Sequence, residues 1–170
     1  MSRRAATAAA GLFVLLAALE VGSGWYGERR AAAALCGADV DLAAPVLLRT
    51  LAGRAVPFEA RFDERALELL VPLPAHISGL AVGNGRLGLE TAAGVTVPTD
   101  VRLERGTVTV TPTLGVLDLD GLALRYELVD LLPTGVAVDR LEVAGDAVVA
   151  VGRSDPREFT ATGRALACVS

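Results

Sequence analysis

An α+β fold is predicted, with an N-terminal signal or anchor helix followed by a mostly antiparallel sheet packed with one or two helices. Three observations predict it. Residues 5–19 carry no charge, and the runs from Pro45 to Gly53 and from Asp63 to Pro72 repeat their apolar residues at helical spacing. From Ile77 to Thr111, short alternating segments are separated by glycine-bearing turns.

The leading element comes first. Arg3 and Arg4 precede the uncharged stretch, whose most apolar part is Gly11–Leu19, the layout of a secretory segment. Two fates are open. Cleavage after Gly22-Ser23-Gly24 would satisfy the small-residue rule, whereas an uncleaved anchor from Ala5 to Gly27 would place Trp25 and Tyr26 at the interface and force Glu20 close to one. Residues 1–30 are accordingly read as signal peptide or signal anchor, residues 31–153 as the folded domain and residues 154–170 as a loose tail.

Within the domain, Ala31–Leu35 extends the leading helix to Cys36-Gly37, where glycine can end it. Asp39–Leu42 alternates as a short strand, and Pro45 opens a helix closed by Gly53. Val56, Phe58, Ala60 and Phe62 alternate as a strand whose internal Pro57 suggests an edge position. Asp63 can cap a helix carrying Ala66, Leu67 and Leu70. The meander then comprises segments 77–82, 86–91, 95–103 and 107–111, split by Gly83-Asn84-Gly85, Ala92-Ala93-Gly94 and Glu104-Arg105-Gly106. Residues 123–132 read as a helix stopping at Pro133, and segments 136–143 and 147–151 as a last hairpin.

Composition narrows the function. Alanine (30), leucine (27) and valine (21) dominate the 170 residues, against seven aromatics, so the core is aliphatic. Sixteen arginines, no lysine and twenty acidic residues give a net charge of −4, which disfavours a general nucleic-acid surface. With one histidine, five serines and two cysteines, the chain is poor in groups for metal or nucleophilic chemistry. No enzyme activity, cofactor or metal site is expected, and binding is favoured over catalysis.

The individual motifs point the same way. Gly83-Asn84-Gly85-Arg86-Leu87-Gly88 has the glycine spacing of a dinucleotide loop, but Arg86–Thr91 alternates as a strand where that loop needs a helix, so a hairpin turn is expected. His76 beside Ser78 lacks an identifiable orienting acid. Asp39 with Asp41, and Asp118 with Asp120, alternate with apolar residues and read as solvated strand faces. Cys36 and Cys168 are either a disulfide joining the start of the domain to its tail in an oxidising compartment, or two unrelated small apolar residues.

Val40-Asp41-Leu42, Pro45-Val46-Leu47-Leu48, Leu51-Ala52-Gly53-Arg54, Gly85-Arg86-Leu87, Val108-Thr109-Val110-Thr111-Pro112, Leu132-Pro133-Thr134-Gly135-Val136 and Val143-Ala144-Gly145 occur in this order. Across about residues 38–153 this pattern resembles the LmeA-type phospholipid-binding family of actinobacterial cell envelopes, as a short member lacking a strand pair between Arg54 and Phe62. The resemblance implies a curled sheet with helices against it around an apolar cavity for phospholipid acyl chains. It also implies an exported or membrane-anchored protein acting in envelope lipid or lipoglycan biogenesis. Leu87, Leu89, Val97, Val101, Val108, Val110 and Val138 are the residues expected to meet lipid. Arg86, Arg102, Arg105 and Arg125, the arginines nearest that sheet, are the residues expected to meet a phosphate. Phospholipid and the membrane are thus the expected partners. The competing expectation is a structural or partner-binding envelope domain with a filled core and no ligand.

Overall fold

A computed structural model describes residues 3–114, 117–118, 120–160 and 168, and the side chains of residues 16–113, 121–160 and 168. The fold is α+β: a curled antiparallel five-strand half-barrel faces a second, four-stranded sheet, with a few helices around them.

The chain begins with α1 (Arg3–Ala34), one continuous helix that includes the position at which a domain boundary after residue 30 would fall. It ends where Cys36 (φ 58°) and Gly37 (φ 86°) turn left-handed, and the Gly37 amide donates to Ala32 O at 2.8 Å. That six-to-one closure satisfies an otherwise free helix-end carbonyl. Among the described residues no helix is long and apolar enough to cross a membrane.

The four-stranded sheet has the order β1 (Asp39–Leu42), β2 (Val56–Phe62), β10 (Ala147–Ser154), β9 (Val136–Ala144). Pro57 therefore lies in an internal strand, which corrects the edge placement expected from its proline. Its carbonyl accepts from Ala43 just past the end of β1, so the amide it lacks would point to the side where β1 has stopped. On the opposite side Pro57 is in register with Arg153 of β10.

The curled sheet runs β3 (Ile77–Gly83), β4 (Arg86–Thr91), β5 (Thr96–Glu104), β6 (Thr107–Leu114) and β8 (Leu124–Glu127), with β7 (Leu117–Asp118) pairing the last two residues of β6. The expected helix over 123–132 is largely this strand. Leu124 and Tyr126 alternate inward and pair with Val110 and Val108, so only α4 (Leu128–Leu131) is helical. Asn84 (φ 53°) and Gly85 (φ 70°) form the expected hairpin turn, and Arg105 and Gly106 form another.

Two short helices close the sheets. α2 (Val46–Leu51) packs on α1 and α3 (Glu64–Leu70) on β3. Asp63 caps α3 by accepting from the Ala66 amide at 2.8 Å. β3 is an edge strand, and α3 covers that edge: Glu64 Oε1 accepts from the Val82 amide (2.9 Å) and Glu68 Oε1 from the Leu80 amide (3.2 Å). Gly79 makes room for this, since a Cβ there would lie 2.9 Å from Glu68 Oε1. Free edge amides that would otherwise recruit another strand are thereby used.

The C-terminal segment is tied down as far as it is described. Thr160 bridges Thr134, and Cys168 is disulfide-bonded to Cys36, with 4.8 Å between their Cα atoms. The remainder of the expected tail, 161–167 and 169–170, lies outside the described residues.

Candidate functional site

Strand register decides what faces the space between the sheets. Leu80, Leu89 and Val97 form one row across β3–β5; Val82 and Leu87 join Thr99 in the next; Val101, Val110 and Leu124 form a third, and Leu103, Val108 and Tyr126 a fourth. Strand alternation turns these positions to one face. Opposite them stand Phe58, Phe62 and Val148 of β2 and β10, and Val138 and Leu141 of β9. Leu67 and Leu70 of α3 and Leu131 of α4 close the sides.

These residues surround an apolar cavity of about 90 Å³. Among the described lining residues only Tyr126 has a polar side-chain atom, and its hydroxyl donates to Pro72 O at 3.1 Å. A space so lined favours hydrocarbon over water, because a water there would lack the two to four partners it needs. It is small: an engineered apolar cavity of roughly 150 Å³ takes benzene. Hydrocarbon of a few carbons is what fits.

Six of the seven residues expected to meet lipid come together here: Leu87, Leu89, Val101, Val108, Val110 and Val138. Leu87, Leu89, Val108 and Val110 are buried, while Val101 and Val138 are half-buried. Val97 shares the inward row with Leu89 but falls outside the cavity wall. No family model, no curated protein and no solved structure matches the chain.

The site is therefore read from its own chemistry. Arg86, Arg102, Arg105 and Arg125 are all exposed, and none of them lines this cavity. The alternation that turns Val101 and Leu103 inward turns Arg102 outward, in register with Thr109 and Arg125, and Arg102 Nε pairs with Asp100 at 2.7 Å. The Ser78 hydroxyl donates to the carbonyls of Glu90 and Thr91 (3.1 and 3.0 Å), and His76 is exposed. Asp39 and Asp41 lie on the exposed side of β1, and the side chains of Asp118 and Asp120 lie outside the described residues. Among the described residues no group of three histidine, cysteine or acidic side chains gathers as a metal would require.

Sequence reasoning missed the opposite wall. Phe58, Phe62 and Val148 alternate inward on strands already recognised, but their meeting with the meander depends on how β2 and β10 pair. It also missed the role of α1 as a wall. Ser23, Gly27 and Ala31 repeat every fourth residue, and a Cβ on Gly27 would lie 2.9 Å from Leu42 Cδ1. Small residues at that spacing mark a helix face for close approach.

Proposed function

We propose that this chain holds the acyl part of a phospholipid between its two sheets, as an exported or membrane-anchored protein of the cell envelope whose N-terminal apolar segment, ahead of Glu20, directs or anchors it. The observation that supports the reading is the apolar cavity, walled by six of the residues expected to meet lipid. Burying a methylene is worth about 0.8 kcal/mol, so a few carbons inserted there contribute measurably to affinity without any headgroup contact. The resemblance to the LmeA-type family supports the same ligand class, and an envelope location accords with the disulfide between Cys36 and Cys168.

The test is direct. Full-length protein recovered from an envelope fraction is expected to release phospholipid on solvent extraction, detected by mass spectrometry. Val101→Asp would place a carboxylate against hydrocarbon, where it must protonate or admit water, and lipid is expected to be lost while the fold survives. The competing reading, a structural or partner-binding domain with a filled core, is favoured by the small volume of the cavity. It requires that Val101→Asp unfold the domain. Folded wild-type protein that carries no lipid and takes none from vesicles would exclude the acyl reading.

A further inference from the structure

A second opening, of about 250 Å³, lies between α1, α2 and the four-stranded sheet. Ser23, Gly27 and Arg30 of α1 form one side of it, and Leu42 of β1 with Val46 and Thr50 of α2 form the other. Leu35, Phe58 and Val136 line both this groove and the apolar cavity, so the two spaces stand one side chain apart. Separately, neither encloses an acyl chain. Together they reach the lower end of the roughly 300–1,000 Å³ usual for small-molecule sites.

The chain is acidic overall, with a net charge of −4, yet among the described residues no carboxylate side chain lines this groove and Arg30 is its only charged lining residue. Two acids reach its wall from outside, where each is held by a backbone amide of a lining residue: Glu20 Oε1 accepts from the Leu47 amide at 2.9 Å and Glu28 Oε1 from the Leu42 amide at 3.4 Å. Arg29, by contrast, lies over the Trp25 ring, 4.1 Å from its centroid. Arg30 is exposed and forms no ion pair among the described residues. The hydroxyls of Ser23 and Thr50 spend their one donor on Glu20 O and Val46 O, each at 2.8 Å, so toward a ligand they can act only as acceptors. A head that fits is an anion beside a hydroxyl donor.

We propose that this groove receives the headgroup end of a single-chain phospholipid, its phosphate on Arg30, with the acyl chain passing Leu35, Phe58 and Val136 into the apolar cavity. The inference rests on the acyl-chain reading above and adds the class of lipid, its orientation and its charged contact. One chain is specified because the apolar cavity is too small for two. A phosphate on a guanidinium makes charge-assisted hydrogen bonds, the stronger kind, and Arg presents its donors in a fork that matches phosphate oxygens.

The experiment titrates full-length protein, by native mass spectrometry, with 1-palmitoyl lysophosphatidic acid and with 1-monopalmitoylglycerol, which has the same chain and glycerol but no phosphate. The phosphate-bearing lipid is expected to bind about tenfold more tightly, a difference that Arg30→Gln abolishes and Arg29→Gln preserves. Val136→Phe thickens the partition and is expected to weaken the palmitoyl probe while sparing its octanoyl counterpart. An unchanged preference in Arg30→Gln overturns the headgroup assignment and leaves acyl binding intact. Failure of both palmitoyl probes on wild-type protein overturns the acyl reading itself. Competition by inorganic phosphate alone at millimolar concentration overturns the lipid source and assigns a free anion instead.

Discussion

Glu20 Oε1 accepts a hydrogen bond from the backbone amide of Leu47 at 2.9 Å, joining the middle of α1 to the first turn of α2. Pro45, at the N-cap of α2, has no side-chain oxygen to cap it, so the carboxylate of Glu20, 27 residues before Leu47, does so. A charge inside an apolar helix is thereby explained by a local partner.

Removing that partner is expected to loosen α2. Glu20→Ala should cost about 1 kcal/mol, the usual loss for an N-cap, and lower Tm by about 2–4 °C for a domain of this size. Glu20→Gln, which keeps an acceptor oxygen, should recover most of it. Identical melting of Glu20→Ala and wild type would show that α1 does not hold α2 in solution.

The edge of β3 offers a second test. Glu64→Ala leaves the amide of Val82, a residue only 8% exposed, without its acceptor, and an unsatisfied buried donor costs about 1–3 kcal/mol. Combining it with Glu68→Ala uncovers the Leu80 amide too, so the double variant is expected to associate at high concentration through the freed edge. Analytical ultracentrifugation reads this. A monomeric double variant of wild-type stability would refute the role given to α3.

The hairpin tip between β3 and β4 supplies a third. The Gly85 amide donates to Gly145 O at 2.9 Å, joining the turns of the two hairpins, and Gly85 sits at φ 70°. Gly85→Ala should cost about 1–2 kcal/mol from the left-handed backbone alone, whereas Gly83→Ala, at a position with negative φ and open space around its Cβ, should cost less. Denaturant midpoints of the two variants give the comparison.

The disulfide supplies a fourth. Cys36 and Cys168 are 132 residues apart, and loop-closure entropy makes a cross-link of that span worth about 4–5 kcal/mol. Alkylation under denaturing, non-reducing conditions should leave both cysteines unlabelled, and Cys168→Ala should lower the denaturant midpoint accordingly. Full labelling of both in envelope-derived protein would remove the cross-link.

The meander was legible because its information is local. Asn84-Gly85 and Arg105-Gly106 adopt the positive φ that their hairpins need, and the alternation that placed Val101, Val108 and Val110 on one face follows from period two alone. What stayed hidden depends on partners distant in sequence. Pro57 looked like an edge residue because nothing near it reveals that β1 stops just short of its missing amide. Leu124–Glu127 was ambiguous because four residues suit a strand or a helical turn, and only pairing with β6 decides. Arg30 was passed over because it stands in an arginine pair after an apolar run, where membrane flanking is the obvious reading, and its groove exists only once α2 and β1 fold against α1.

The pairing of β2 with β10 spans the whole meander, for Phe62 meets Val148 with β3 to β9 between them. Contacts so far apart close slowly, while each hairpin of the meander closes on its own short turn. Pulse-labelled amide exchange is expected to show protection over 77–127 before 147–154. During that interval the valine and leucine rows of the half-barrel form an open, greasy trough, the kind of transient surface on which nascent chains aggregate. A lipid tail present at that moment would meet an uncovered trough rather than a sealed wall, and would shield it until the last strands arrive.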